Sequence, residues 1–374
     1  MQADGLRQGL RLDSVDDVLG DRQGRFFGEG FKRVGYSLAD ITVVPEGASG
    51  ASGASGASGA SGASGAPGAS GGSGGSGTSG GSGAKGQVHA TAGIHLPDTW
   101  SRKGETLQRP HLSTLDGMIL AARLTGLYVA HVRGLGADAR FRVRGVRIKA
   151  GNAPDEEGLE RFPVSARLRS AAVSAGSPGL STTTMDCTIG AMSVQVEAEH
   201  PTGVEYPTGV EHHTGVEYPA EGRYGDSAEL DGSWNHAPFG VSHHERAQFL
   251  EDVVADASAG TADARLTLVD GRDVPKGQEP TAVDLFVCAL QLGQVLLYEL
   301  DGLTRAGSNT LWMRRTSIEV TPVPDGASGC DGRFRVLLGR SNALPTAEGT
   351  WRTARITASL GDLRMSCDVA HLLP

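Results

Sequence analysis

The sequence is poor in cysteine and has none in a pair. Cys187, Cys288, Cys330 and Cys367 lie far apart and no CxxC occurs. That spacing argues against a structural zinc or a dithiol redox centre. Free thiols fit a reducing cytoplasm. Positive charge is also in deficit. A net charge of −9 and a pI near 5.7 argue against nucleic acid or an anionic membrane as the main partner. No run of about eighteen apolar residues is apparent that would span a membrane. The N-terminal "MQADGLRQGLRLDSVDDVLG" has acids and no apolar core, unlike a secretory signal. The expectation is a soluble, cytoplasmic protein. Lysine is scarce, with five against 29 arginines. Together with abundant Ala, Gly and Val this reads as GC-rich bacterial coding bias, which carries no functional signal.

Two segments lack the variety that a core needs. Residues 47–85 are almost wholly Gly, Ala and Ser. Such a segment has little to bury and much backbone entropy to lose, so disorder is expected. Glycine recurs there every third residue, but Pro67 is its one proline, too few for a collagen helix. Residues 201–222 contain a tandem TGVEYP unit, with Thr202, Thr208 and Thr214 six apart. This reads as an expanded surface loop. Its His212 and His213 have no partner spacing that would make a metal site.

What is present outside the inserts is an internal repeat. Setting Asp116 on Asp284, an offset of 168, matches Ala121 with Ala289 and Leu124 with Leu292. Downstream, "FRVRGVRIKAG" (141–151) parallels "LWMRRTSIEVTPV" (311–323), both alternating as strands do. Then "IGAMSVQVEAEH" (189–200) parallels "LGDLRMSCDVAH" (360–371), placing Gly190 on Gly361 and His200 on His371. Three segments in one order indicate duplication. The paired helices are apolar on most faces and must be buried. One buried helix wrapped by antiparallel sheet is the hot-dog arrangement. The expected fold class is therefore α+β, a tandem (double) hot dog. The expected layout is residues 1–46 and 86–200 for the first unit and 223–374 for the second, with inserts at 47–85 and 201–222.

The blocks "SVDDVLG" (14–20), "RFFGEGFKRVGYSL" (25–38) and "RPHLSTLDGMILAARL" (109–124) resemble the AvrD (avirulence D) family. Family members direct synthesis of syringolides, which are acyl-sugar elicitors. The resemblance covers most of the chain outside the inserts. "LYVAHV", after the first helix, is similar to the AfsA butyrolactone-synthesis family, which joins a β-ketoacyl chain to dihydroxyacetone phosphate. "EPTAVDLFVCALQL" resembles the second-half helix of polyketide dehydratases. That pattern has Gln or His four residues after the Asp. Here Cys288 stands there, and no His-x-x-x-Gly-x-x-x-x-Pro element occurs upstream, which speaks against dehydration.

Asp116 and Asp284 begin the two helices, each three residues after a hydroxyl, Ser113 or Thr281. Ser/Thr-x-x-Asp is a form of capping box, so a purely structural role competes with catalysis. The functional alternative is a general base beside helix N–H groups that polarise a thioester carbonyl. Arg123 and Gln291 lie two turns on and need polar partners. Arg123 could pair with Asp116 or Asp284, or bind a ketone or sugar phosphate. His131 and Glu299 match at the same offset and read as surface residues. His111 precedes the first helix and suits acid–base work. His236, His243 and His244 lack convincing metal-ligand spacing. "FFGEGFKRV" is not a GxGxxG nucleotide loop; its phenylalanines suit the core, and Arg25, Lys32 and Arg33 could meet an anionic carrier arm.

The resemblance implies an enzyme that joins a β-ketoacyl thioester, on acyl carrier protein or CoA, to a ketose such as xylulose. Its expected site residues are Asp116, Asp284, Arg123, His111 and Gln291, with no cofactor or metal. A dehydratase, a thioesterase or a non-catalytic acyl-binding protein are the alternatives. A homodimer is compatible with the sequence.

Overall fold

The computed structural model of the chain describes residues 9–47, 85–97, 100–103, 105–136, 139–174, 177–203, 220–230, 238–239, 242–274, 276–321 and 333–374. The Gly/Ala/Ser insert, His212, His213, His236 and Cys330 lie outside the described residues. The elements in chain order are β1 (Leu10–Ser14), α1 (Asp16–Leu19), β2 (Gly35–Val44), β3 (Gln87–His95), β4 (Arg102–Lys103), β5 (Thr106–Leu107) and α2 (Thr114–Arg133). Then come β6 (Arg142–Lys149), β7 (Phe162–Val173), β8 (Leu180–Ile189), β9 (Met192–Pro201), β10 (Gly222–Asp226), α3 (Ser242–Glu245) and β11 (Ala247–Asp256). The last are β12 (Thr261–Val269), α4 (Ala282–Asp301), β13 (Trp312–Val320), β14 (Arg333–Thr346), β15 (Gly349–Leu360) and β16 (Leu363–Leu372).

Both long helices start and stop by the same chemistry. Ser113 caps α2 and Thr281 caps α4, each in a full capping box with Asp116 or Asp284. Gly134 and Gly302 end them in the left-handed conformation that glycine adopts without strain. Every residue from Thr114 to Ala130, and from Ala282 to Tyr298, is buried. A helix buried on all faces needs partners on all sides. For α2 they include β2, β3 and β6 to β9, and for α4 they include β11, β12 and β14 to β16. By length and composition α4 could cross a membrane, contrary to the sequence expectation, but 89 % of its most apolar window is buried in the protein. It is a core helix.

Among the described residues fourteen strands form one antiparallel sheet, in the order β1-β11-β12-β14-β15-β16-β13-β6-β9-β8-β7-β3-β2-β10. A large antiparallel sheet around buried helices is an α+β fold of hot-dog type. The halves meet where β13 pairs with β6, Ser317 opposite Arg147. Bulges recur at matching places. β2 slips between Ala39 and Thr42 and β11 between Glu251 and Val254, and Asp40 and Asp252 take positive φ there. Aspartate tolerates that conformation better than most side chains.

The two strands at the ends of the sheet come from parts of the chain distant from the strands they pair with. β1, from the segment 1–46, pairs with β11, Leu12 opposite Val253. β10, at the start of the segment 223–374, pairs with β2, Tyr224 opposite Ile41. An edge strand with bare N–H and C=O groups gains from any strand that reaches it. Here each half's edge is covered by chain that leads into the other half.

The matched histidines His200 and His371 close β9 and β16 and are both buried. His200 Nδ1 lies 2.8 Å from the Pro201 carbonyl and Nε2 lies 2.9 Å from Thr183 Oγ1. Burial pushes the pKa of both rings down, and for His371 it outweighs the attraction of Asp301. A depressed histidine contributes stability above its unfolded value near 6.5. That stability is lost as pH falls through the folded value. The urea midpoint is therefore expected to fall as pH drops below about 6.5. The slope should be shallower in His200→Gln, read by circular dichroism. An equal slope in the variant would remove His200 from the account.

Candidate functional site

The block "RFFGEGFKR" builds one wall of the main cleft. Phe26 packs on Trp100 with ring centroids 5.0 Å apart, and Phe27 packs on Phe286 of α4 at 5.8 Å. Its two glycines are required by close backbone contact. A Cβ at Gly28 would overlap the Arg22 carbonyl, and one at Gly30 would come 2.8 Å from the Trp100 carbonyl. The block therefore lies tight across α4 and the loop before α2, and it fixes Arg25 between them. Arg25 is 3 % exposed. It donates to Gln291 Oε1 at 3.0 Å and pairs with Asp16. Burial lowers its pKa to about 10 in spite of Asp16.

The cleft has a volume of about 380 Å³ and opens at the start of α2. His111, Leu112, Ser113 and Thr114 form one side, and Gln291 and Gln294 of α4 face it from the other half. Phe26, Phe27, Trp100, Leu311, Trp312 and Met313 give it apolar walls. Lys103 and Arg305 also line it. His111 stacks edge-on against Trp100, centroids 4.7 Å apart, and its Nδ1 is 3.2 Å from the Arg109 carbonyl. That carbonyl can only accept, so Nδ1 is the donor in this contact.

Of the residues expected from sequence, His111 and Gln291 meet in this cleft, with Arg25 beside them. Asp116 and Asp284 do not line it. Asp116 is fully buried, accepting the Ser113 N–H at 2.7 Å and the Tyr36 hydroxyl at 2.7 Å. Burial raises its pKa, against those hydrogen bonds, and drives that of Tyr36 well up. Asp284 accepts from Thr281 N at 2.8 Å, Arg246 Nη1 at 3.1 Å and Gln248 Nε2 at 2.9 Å. Arg246 is 1 % exposed and also holds Asp270 at 2.6 Å and the Gln278 carbonyl at 2.7 Å. Burial opposes its charge, but Asp270 and Asp284 prevail and raise its pKa. So α2 starts at an open cleft, and the start of α4 is sealed by an ion pair.

Arg123 pairs with neither aspartate. It donates to the Tyr36 carbonyl and to Ser227 Oγ, each at 3.1 Å, and burial lowers its pKa to about 10. Its role is to tie α2 to β2 and the turn after β10. His131 is half-buried, 2.7 Å from the Tyr224 hydroxyl, while Glu299 is exposed. Lys32 is held by Glu29 at 2.9 Å and Arg33 by the Gln23 carbonyl at 3.3 Å. Cys288 is fully buried, and burial drives its thiol pKa well up, so it is inert. His244 reaches the Lys32 carbonyl at 3.0 Å. Among the described residues no three His, Cys, Asp or Glu side chains are placed to hold a metal. Lys103, Arg305, Trp100 and Trp312 were not foreseen. Trp312 opens the strand segment 311–323, but neither its alternation nor the surroundings of Lys103, Arg305 and Trp100 carry a motif that marks a site.

The family model described as "Pseudomonas avirulence D protein (AvrD)" matches residues 10–61 and 77–374. No curated protein matches the chain. Among solved structures, the tesB protein of Mycobacterium avium subsp. paratuberculosis is 10 % identical, with a TM-score of 0.33 over 76 % of this chain and 93 % of that one. A 12:0-ACP thioesterase from Umbellularia californica is 10 % identical, with a TM-score of 0.35 over 76 % and 94 %. A hot-dog protein of unknown function from Alicyclobacillus acidocaldarius is 12 % identical, with a TM-score of 0.30 over 77 % and 93 %.

Proposed function

The chain belongs to the AvrD family, and from that premise we propose that it is a biosynthetic enzyme joining a β-ketoacyl thioester to a ketose sugar. In this reading the chain is two hot-dog units in tandem, with one working site. The observation that supports it is the cleft where the start of α2, with His111, faces Gln291 and Gln294 across apolar walls. The walls suit an acyl chain and shield the thioester from water.

The chemistry needs a base and an electrophilic cradle. His111 Nε2 takes the proton of a sugar hydroxyl, and the oxygen attacks the thioester carbonyl. Thr114, the first residue of α2, lines the cleft, and its N–H has no partner among the described residues. It stabilises the charge on the carbonyl oxygen. The C–S bond breaks and the thiol leaves with the proton. The CH₂ between the two carbonyls then adds to the ketone carbon of the sugar, and loss of water gives a butenolide-type ring. Arg25 holds Gln291 by its oxygen, which turns the amide NH₂ away from Arg25 to orient the β-keto oxygen. Asp116 positions the start of α2 and does not touch substrate.

Mass spectrometry of purified protein with a β-ketoacyl-CoA and xylulose tests this. The expected product has the mass of the acyl group plus the sugar, with or without loss of water. Free β-keto acid alone would replace acyl transfer with hydrolysis. Unchanged thioester that still binds tightly would replace catalysis with ligand binding.

A further inference from the structure

The cleft is electrically one-sided. At one end Arg109 is paired with Glu156 at 2.6 Å, and the Asp155 carboxylate accepts the Ala191 N–H at 2.8 Å. That end has its charges answered. At the other end stand Lys103, Arg305 and Arg25. Lys103 meets only neutral oxygens, the Ser308 carbonyl at 3.2 Å and hydroxyl at 3.4 Å and the Asn309 carbonyl. Arg305 donates to the Arg102 carbonyl at 2.9 Å. Among the described residues neither forms an ion pair, and the charge that bears on Lys103 is that of Arg305. Arg305 also opposes the charge of Arg25. Lys103 and Arg305, partly buried and set against each other, are unfavourable without an anion, whereas Arg25 behind them is already paired with Asp16. Two further donors on this lining are buried without a partner among the described residues, Arg25 Nε and Trp100 Nε1.

We propose that this end of the cleft binds a phosphate monoester, with Lys103 and Arg305 as its main cations and Arg25 behind them. The inference rests on reading the cleft as the substrate site. A single carboxylate would be satisfied by one guanidinium. A dianionic phosphate carries three acceptor oxygens and enough charge for separate donors. Burial and Arg305 together push the Lys103 pKa down to about 8, so it is still mostly charged at neutral pH. The phosphate would arrive on the sugar, as a ketose phosphate, because the phosphopantetheine phosphate of acyl carrier protein or CoA is a diester or diphosphate with only two free oxygens.

Isothermal titration of the full chain with inorganic phosphate is the first test. Lys103→Met and Arg305→Met keep the apolar stems and remove the charge. Each is expected to weaken phosphate binding by about tenfold or more, and Lys103→Arg to retain it. No phosphate binding by the parent chain, or undiminished binding in both Met variants, overturns the proposal. Xylulose 5-phosphate binding tighter than xylulose assigns the site to the sugar. Coenzyme A binding that is tighter than that of xylulose 5-phosphate, and is lost in both Met variants, overturns the monoester in favour of the thioester arm. The functional reading fails separately. Phosphate binding without acyl-sugar product would leave the anion site and remove the enzyme. Product formation that phosphate does not inhibit, with no measurable phosphate binding, would do the reverse.

Discussion

Replacing His111 with alanine is expected to lower the rate of acyl-sugar formation by about 10²–10⁴-fold, the usual contribution of one positioned acid–base group. Stability should change little, because the ring is only half-buried at the cleft mouth and makes one long hydrogen bond, 3.2 Å to Arg109. The stack on Trp100 is lost as well. His111→Phe separates the two contributions, since it keeps the stack and removes the lone pair. Both variants should lose turnover alike. If His111→Phe is active and His111→Ala is not, the ring only packs and the base lies elsewhere. The KM for the thioester should move less than kcat, since the apolar walls that hold the acyl chain do not involve the imidazole nitrogen.

Much of this arrangement is legible in the sequence because it is local. Ser113-x-x-Asp116 and Thr281-x-x-Asp284 encode the helix starts, Gly134 and Gly302 their ends, and the matched Gly190 and Gly361 take positive φ at tight strand connections. The repeat follows from these landmarks. What the sequence hides is long-range. Nothing in "LRLDS" states that it will pair with β11 rather than with its own half. An offset of 168 makes Asp116 and Asp284 equal, as it does Arg123 and Gln291. The difference comes from outside the helices. Arg246 enters beside Asp284 at the start of α4, whereas at α2 Asp116 meets no cation among the described residues and takes the Tyr36 hydroxyl. Lys103 and Arg305 are single residues in irregular segments, brought together only by the fold.

That asymmetry gives the largest expected change in stability. Asp284→Ala leaves Arg246 with one of its two acids, Asp270, which is itself partly exposed. Removing one partner of a buried ion pair costs about 3–5 kcal/mol, far more than the pair gains over an apolar substitute. The loss of the Thr281 capping box adds about 1 kcal/mol. Urea unfolding of Asp284→Ala should therefore show a sharply lowered midpoint. Arg246→Met combined with Asp284→Ala should recover part of the loss, because the stranded charge is gone. Asp284→Asn divides structure from catalysis. It keeps an oxygen for the Thr281 N–H, gives up the charge, and turns an NH₂ toward Gln248, whose amide must turn to offer its oxygen. If Asp284 is the lock of a sealed second site, this variant loses stability and keeps turnover per folded molecule. If Asp284 is a base, turnover vanishes at an unchanged midpoint, and the working site moves from the start of α2 to the start of α4.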